Sequence, residues 1–148
     1  MAVSAPTTDT TLILKRTFQA SRERVFEAWT KPELLTQWFG PTDEFHVTLE
    51  QFTLSPGGAY KINMGKPDPK MNIISGRYKE VVKPERLVFT WSWDGEPGET
   101  LVTITFRDAG PSTEVVLKQE YFANAIERDA HDRGWSGCMS RLERLFPL

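Results

Sequence analysis

The stretch 28-AWTKPELLTQWFGP-41 decides how this chain is built. Two tryptophans stand nine residues apart, with a proline between them and a Gly-Pro pair closing the run. Thr30 and Glu33 have the spacing of a capping box, in which each side chain satisfies a free backbone N–H at a helix start. Pro32 then falls in a first turn, where its missing N–H costs nothing. Leu34, Leu35 and Trp38 lie on one face, and Gly40 with Pro41 stops the segment. Just upstream, Ser21 can cap a helix that has Glu23 in its positive first turn, and Val25, Phe26 and Trp29 share its apolar face. The spacing therefore predicts two short helices that each give a tryptophan to the same side. This is a packed helical corner, and Trp29 and Trp38 read as its wall, closing one end of whatever it packs against.

Outward from that corner the periodicity changes. On its N-terminal side, Thr11 to Gln19 is rich in β-branched and apolar residues and reads as a strand. On its C-terminal side, apolar residues recur every second position at Phe45, Val47 and Leu49, then resume at Phe52 and Leu54, so a β-bulge is expected near Glu50 and Gln51. After the turn at Pro56, Gly57 and Gly58, Tyr60, Ile62 and Met64 point one way. The segment 65-GKPDPK-70 reads as a hairpin loop. Ile74, Gly76 and Tyr78 share the next inner face, then Leu87, Phe89, Trp91 and Trp93, then Val102, Ile104 and Phe106 against threonines, then Val115, Leu117, Gln119 and Tyr121. Six strands joined by short turns form an antiparallel meander with one wet face.

The last segment is helical. Asn124 and Glu127 can form a second capping box. His131, Trp135, Cys138, Met139, Leu142, Leu145 and Phe146 make a stripe at spacings of three and four. Arg128, Asp132, Arg133, Arg141, Glu143 and Arg144 are expected on the remaining, outward surface.

Composition narrows the function classes. The 148 residues suit one domain with one core. Eighteen basic and 20 acidic residues, mixed along the chain, leave a net charge of −2 and none of the basic stripe that nucleic acid requires. No apolar run approaches the roughly 20 residues needed to cross a bilayer. The start of the chain has neither a basic region nor an apolar one of secretory type, and reads as a flexible tail over residues 1–10. A single cysteine, Cys138, excludes an intrachain disulfide, and a cytoplasmic protein is the default expectation.

The order of strand, two short helices, six strands and long terminal helix resembles the START-like helix-grip superfamily. Within it the chain is similar to the branch named for the C-terminal domain of the activator of the Hsp90 ATPase. The matching stretches are RTFQASRERVFEAWTKPELLTQWFGP, SPGGAYKINM, SGRYKEVVKPERLVFTW and HDRGWSGCMSRLERL. The resemblance implies an α+β fold over residues 11–148, a curved antiparallel sheet that grips the C-terminal helix over a cavity. Many members of the superfamily bind apolar or polycyclic molecules there, and some catalyse cyclisation or dehydration. The co-chaperone that names the branch carries a further N-terminal domain with an Asn-rich, tryptophan-containing Hsp90-binding motif. Neither occurs in these 148 residues, so the resemblance carries the fold further than it carries a chaperone role.

Strand parity and the helical stripe place Tyr60, Ile62, Met64, Tyr78, Phe89, Trp91, Trp93, Gln119, Trp135 and Met139 in a shared interior, with His131 one turn before Trp135. These side chains either fill an ordinary core or line a small-molecule site of the usual kind, apolar with a few convergent polar groups. Gly76, Gly134 and Gly137 favour close packing or space for something else. Gln119, polar in an apolar register, needs an internal hydrogen bond or a ligand. His131 either docks the helix or serves as a general base. Cys138 reads as core, Glu50 and Glu80 as solvent-facing. The two histidines, His46 and His131, lie far apart and no Cys-x-x-Cys occurs, which argues against a metal site. No phosphate-binding glycine loop is present, and no cofactor is implied.

Three functions follow as expectations. The first is non-catalytic binding of an apolar or aromatic small molecule between sheet and helix. The second is a cyclase- or dehydratase-type enzyme using His131, Tyr60, Tyr78 or Gln119 in the same cavity. The third is a protein-interaction domain that acts on a chaperone-type ATPase.

Overall fold

The computed structural model describes residues 10–40, 42–43, 45–65 and 73–146. The elements run β1 (Thr11–Phe18), α1 (Arg22–Thr30), α2 (Pro32–Trp38), β2 (Thr48–Phe52), β3 (Ala59–Asn63), β4 (Ile73–Val82), β5 (Arg86–Trp93), β6 (Thr100–Ala109), β7 (Ser112–Glu120) and α3 (Ala125–Glu143). Among the described residues the strands form one antiparallel sheet in the order β1-β7-β6-β5-β4-β3-β2. The meander is as the periodicity predicts, and β1 completes it by pairing along β7, from Thr11 opposite Glu120 to Phe18 opposite Thr113. Residues 1–9 of the tail expected over 1–10, and residues 66–70 of the expected 65–70 loop, lie outside the described residues.

Two register shifts bend the sheet. One falls between Leu49 and Gln51, where the alternation slips in the sequence. The other, between Tyr78 and Glu80, had no such signal. Each bulge adds local twist, and the result is a curved sheet whose inner face carries the core. Leu87, Val102, Ile104, Phe106, Val115 and Leu117 are essentially inaccessible on that face. A side chain of this size, fully buried, contributes about 2–3 kcal/mol.

Ser21 caps α1 by accepting from the Arg24 N–H. The capping box expected at Thr30 does not form. Thr30 is the last residue of α1, buried, with its hydroxyl donating to the Phe26 carbonyl at 2.9 Å. Lys31 serves instead as the C-cap of α1 and the N-cap of α2, with φ −97° and ψ 121° and no side-chain cap. The cause is Pro32. A residue before proline is pushed out of the helical region, so the break falls one residue later than the threonine suggests.

The corner packs as a wall. Trp29 and Trp38 meet edge to face at 4.7 Å, Trp38 donates to the Ala28 carbonyl at 2.9 Å, and Phe26 meets Phe106 of β6 at 5.2 Å. Asn124 caps α3, accepting from the Glu127 N–H at 2.9 Å. The backbone of α3 approaches β1 and α2 most closely and faces the rest of the sheet through large side chains.

Two further expectations are corrected. Tyr121 does not continue the inner face of β7. It lies just past the strand with φ 76° and is 67% exposed, because the chain turns there toward α3. Arg141 is not a surface residue of α3. Its guanidinium donates to the carbonyls of Phe39 and Gly40 at 3.1 Å and of Gln37 at 3.2 Å, and pairs with Asp43 at 3.1 Å. It supplies the cation that the free carbonyls at the end of α2 call for.

Candidate functional site

Between the inner face of the sheet and α3, most of the side chains singled out from the sequence come together. Tyr60, Ile62, Met64, Tyr78, Phe89, Trp91, Gln119, Trp135 and Met139 are buried, and Trp93 and His131 are half-buried at the N-terminal half of α3. Ring contacts sort the aromatics into two groups. Tyr60, Tyr78 and Phe89 form a triangle with centroids 5.6–5.7 Å apart. The second group centres on Trp135, with Trp91 at 5.1 Å, Trp29 stacked at 5.9 Å and Phe39 edge-on at 5.9 Å. Trp29 and Phe39 come from the helical corner. Parity along the strands could not show that the corner reaches so far over the sheet, although the apolar face that ends in Trp29 was visible.

A chain of hydrogen bonds runs through this second group. Trp135 Nε1 donates to Gln119 Oε1 at 2.8 Å, and Gln119 Nε2 donates to Thr100 Oγ1 at 2.8 Å. Thr100 Oγ1 in turn lies 3.4 Å from the Trp91 carbonyl. Gln119 thus satisfies both ends of its amide internally. Thr100 shares the inner parity of Val102, Ile104 and Phe106, and was missed because it stands just before the apolar run that begins at Leu101.

His131 is held at both ring nitrogens. Nε2 accepts from Trp93 Nε1 at 2.9 Å, and Nδ1 lies 2.7 Å from the Glu127 carbonyl. An acceptor at Nε2 requires the ring proton on Nδ1, so the imidazole is neutral. Burial lowers its pKa, against a smaller upward pull from the Glu127 carbonyl. With its lone pair occupied, His131 is arranged to dock α3 onto β5.

Burial pushes the Tyr60 and Tyr78 phenols well above their ordinary range. The Tyr60 hydroxyl donates to the Thr90 carbonyl. It reaches that carbonyl across Gly76, its partner on β4, where a Cβ would stand 2.0 Å from the Thr90 oxygen. Cys138 is also buried, accepts from the Gly40 N–H at 3.3 Å, and has its pKa pushed up to about 12. A thiol so protonated is no nucleophile.

Among the described residues, two buried side-chain polar atoms have no partner. The indole nitrogens of Trp29 and Trp91 are buried without an acceptor. Both rings pack on Trp135.

An open groove of about 720 Å³ lies elsewhere, over β3, β4 and β5. It is lined chiefly by Lys61, Ser75, Arg77, Lys79, Thr90 and Ser92, side chains of the parity opposite to the aromatic face, with Tyr60 and Tyr78 at its edge. This outer groove is polar and shares only Tyr60, Gly76 and Tyr78 with the residues that the sequence pointed to.

Comparison with known proteins agrees with the architecture. The family model described as Activator of Hsp90 ATPase homolog 1-like protein matches residues 19–147. A solved protein from Chromobacterium violaceum superposes with a TM-score of 0.82 at 28% identity, covering 93% of this chain and 96% of its own. One from Rhodobacter sphaeroides gives 0.81 at 26% identity, with coverage of 95% and 94%. A third, from Staphylococcus epidermidis, shares the fold with a TM-score of 0.79 at 22% identity and coverage of 97% and 93%. No curated protein matches the chain.

Proposed function

The chain belongs to the family of Activator of Hsp90 ATPase homolog 1-like proteins, and from that premise we propose that it binds an apolar or aromatic small molecule between the sheet and α3 without transforming it. The family has a START-like helix-grip fold that suits hydrophobic ligands. The observation that carries the finer reading is the pair of unpartnered indole N–H groups on Trp29 and Trp91. Leaving a buried donor unpaired costs about 1–3 kcal/mol. Elsewhere in the same interior the protein pairs its polar side chains with care, as at Gln119, Trp135 and His131. Two orphan donors on rings that both contact Trp135 favour a place where something else docks.

In this reading Trp91, Trp135 and Gln119 surround the ligand, with Met139 from α3 above it. Tyr60, Ile62, Met64, Tyr78 and Phe89 extend the apolar wall along the sheet. Trp93 and His131, half-buried and bonded to each other, form the rim that must part for a ligand to pass. The doubly bonded His131 and the strongly protonated tyrosines favour binding over catalysis.

Native mass spectrometry of freshly purified protein, followed by denaturation and analysis of what is released, tests the proposal. A stoichiometric aromatic or apolar molecule supports it. A bare mass, together with no calorimetric binding across a panel of two- and three-ring aromatics, overturns it.

A further inference from the structure

We infer that the groove on the outer face of β3, β4 and β5 is a second site, for a soluble phosphorylated sugar or polyol. It stands apart from whatever the interior holds. Strand register builds it. Lys61 lies opposite Ser75, and Ser75 opposite Ser92, so these three residues form one row across three strands. Thr100 pairs with Trp91, which brings Glu99, the residue before it, beside Ser92 at the end of the row. Arg77 follows Ser75 on the same face, with only Ala59 opposite it, and Lys79 follows at the bulge. Serine and alanine are short, and the space above them is a groove of about 720 Å³.

The groove has a cationic side and an acidic end. Neighbouring like charges on a sheet face repel, and nearby cations of the surface are paired, Arg86 with Glu80, Arg107 with Glu114 and Lys118 with Glu120. Arg77 and Lys79 have no carboxylate partner among the described residues. Lys61 reaches Glu50 only at 3.8 Å, with both side chains well exposed, a pairing of little worth. Arg77 Nη1 donates to the Gly57 carbonyl at 3.0 Å, which steadies the guanidinium and leaves its other N–H groups for a ligand. The Ser75 and Ser92 hydroxyls are half-buried and make no hydrogen bond among the described residues.

Donors therefore gather at one side and a carboxylate stands at the other. A phosphate monoester carries close to two negative charges at neutral pH and offers three acceptor oxygens, and a guanidinium fork matches two of them. An ionised carboxylate only accepts, so Glu99 calls for a ligand group that donates, such as a hydroxyl. Glu99 and Arg77 on β4 are two strand spacings apart, about 10 Å, the reach of a hexose phosphate. A bare inorganic anion would leave Glu99 unused, and a dicarboxylate would set its second charge against it.

Calorimetry with glucose 6-phosphate tests the site, with inorganic phosphate and glucose as its two halves. The ester should bind at least about tenfold tighter than either half. Arg77→Gln should weaken it about tenfold or more, the worth of hydrogen bonds to a charged group. Arg107→Gln makes the same change of charge outside the groove and should leave the affinity as it is. Glu99→Gln should weaken the ester while inorganic phosphate binds as tightly as before or tighter, a split that no general loss of structure produces. All three residues are exposed, and a second measurement needs no variant: the backbone amides of Ser75, Arg77 and Ser92 should shift on adding the ester to the wild type. Equal affinity for the ester and inorganic phosphate, or equal losses in Arg77→Gln and Arg107→Gln, means an adventitious ion only and overturns the inference. Binding to vesicles that carry phosphorylated inositol headgroups, with none of the free ester, overturns it too, as does binding of no probe at all. Each of these outcomes leaves the interior binding role standing.

Discussion

Trp93 donates its indole N–H to Nε2 of His131 across 2.9 Å, which leaves Nδ1 to donate to the Glu127 carbonyl at 2.7 Å. One imidazole thus ties a sheet strand to the first turns of α3, and it can do so only while neutral. Protonation would set an N–H of His131 against the N–H of Trp93.

Stability should therefore fall on mild acidification. Burial lowers the folded pKa of His131, while the unfolded value is near 6.5. Between these two the unfolded chain binds the proton more tightly. The contribution is present in full above about pH 6.5 and is lost as pH falls from there through the lowered folded value. Urea denaturation of the wild type and His131→Gln across pH 7.5 to 5 should show the wild type losing ground on the variant. A constant gap would sink the assignment.

Gln119 holds the centre of the interior network. Gln119→Leu keeps the volume but strands the Trp135 N–H and removes the donor to the Thr100 hydroxyl, and should destabilise the fold by about 2–3 kcal/mol. Urea midpoints measure this directly. A loss below about 0.5 kcal/mol would mean that the network is idle.

At Gly76 the constraint is steric. A Cβ there would lie 2.0 Å from the Thr90 carbonyl oxygen, so Gly76→Ala must push β5 away and should cost about 2–3 kcal/mol. Tyr60→Phe removes the hydroxyl that satisfies the same carbonyl and should cost about 1 kcal/mol. Because both act on one group, the double variant should lose less than the sum.

Arg141 caps α2 through three carbonyls. Arg141→Ala should cost about 2–3 kcal/mol, the range for hydrogen bonds to a charged group. Arg141→Lys should recover little, since an ammonium cannot reproduce the planar fork. The thiol of Cys138, one turn away and accepting from Gly40, reports on the same corner. Its alkylation should be very slow in the wild type and faster in Arg141→Ala.

Much of the architecture was legible in the residues themselves. Alternation placed the inner faces of the strands, and even the slip at Glu50 and Gln51 marked a real bulge, because a half-buried strand must repeat every two residues or turn its apolar set outward. The stripe from His131 to Leu142 likewise announced which side of α3 is buried. Local signals misled where two rules met on adjacent residues. Thr30 looks like a cap, but Pro32 dictates where the helix breaks. Tyr121 keeps the parity of β7, but the turn into α3 takes it out to solvent.

The sequence by itself determined the elements, their apolar faces and the family to which the chain belongs, since periodicity and capping depend only on neighbours along the chain. Tertiary structure decided the rest. Whether Gln119 spends its amide inside the protein, whether His131 keeps a free lone pair, and which tryptophan N–H groups are left without a partner depend on residues tens of positions apart. Such pairings are set by how the sheet curves and where the corner lands on it, and one-dimensional patterns carry no record of either.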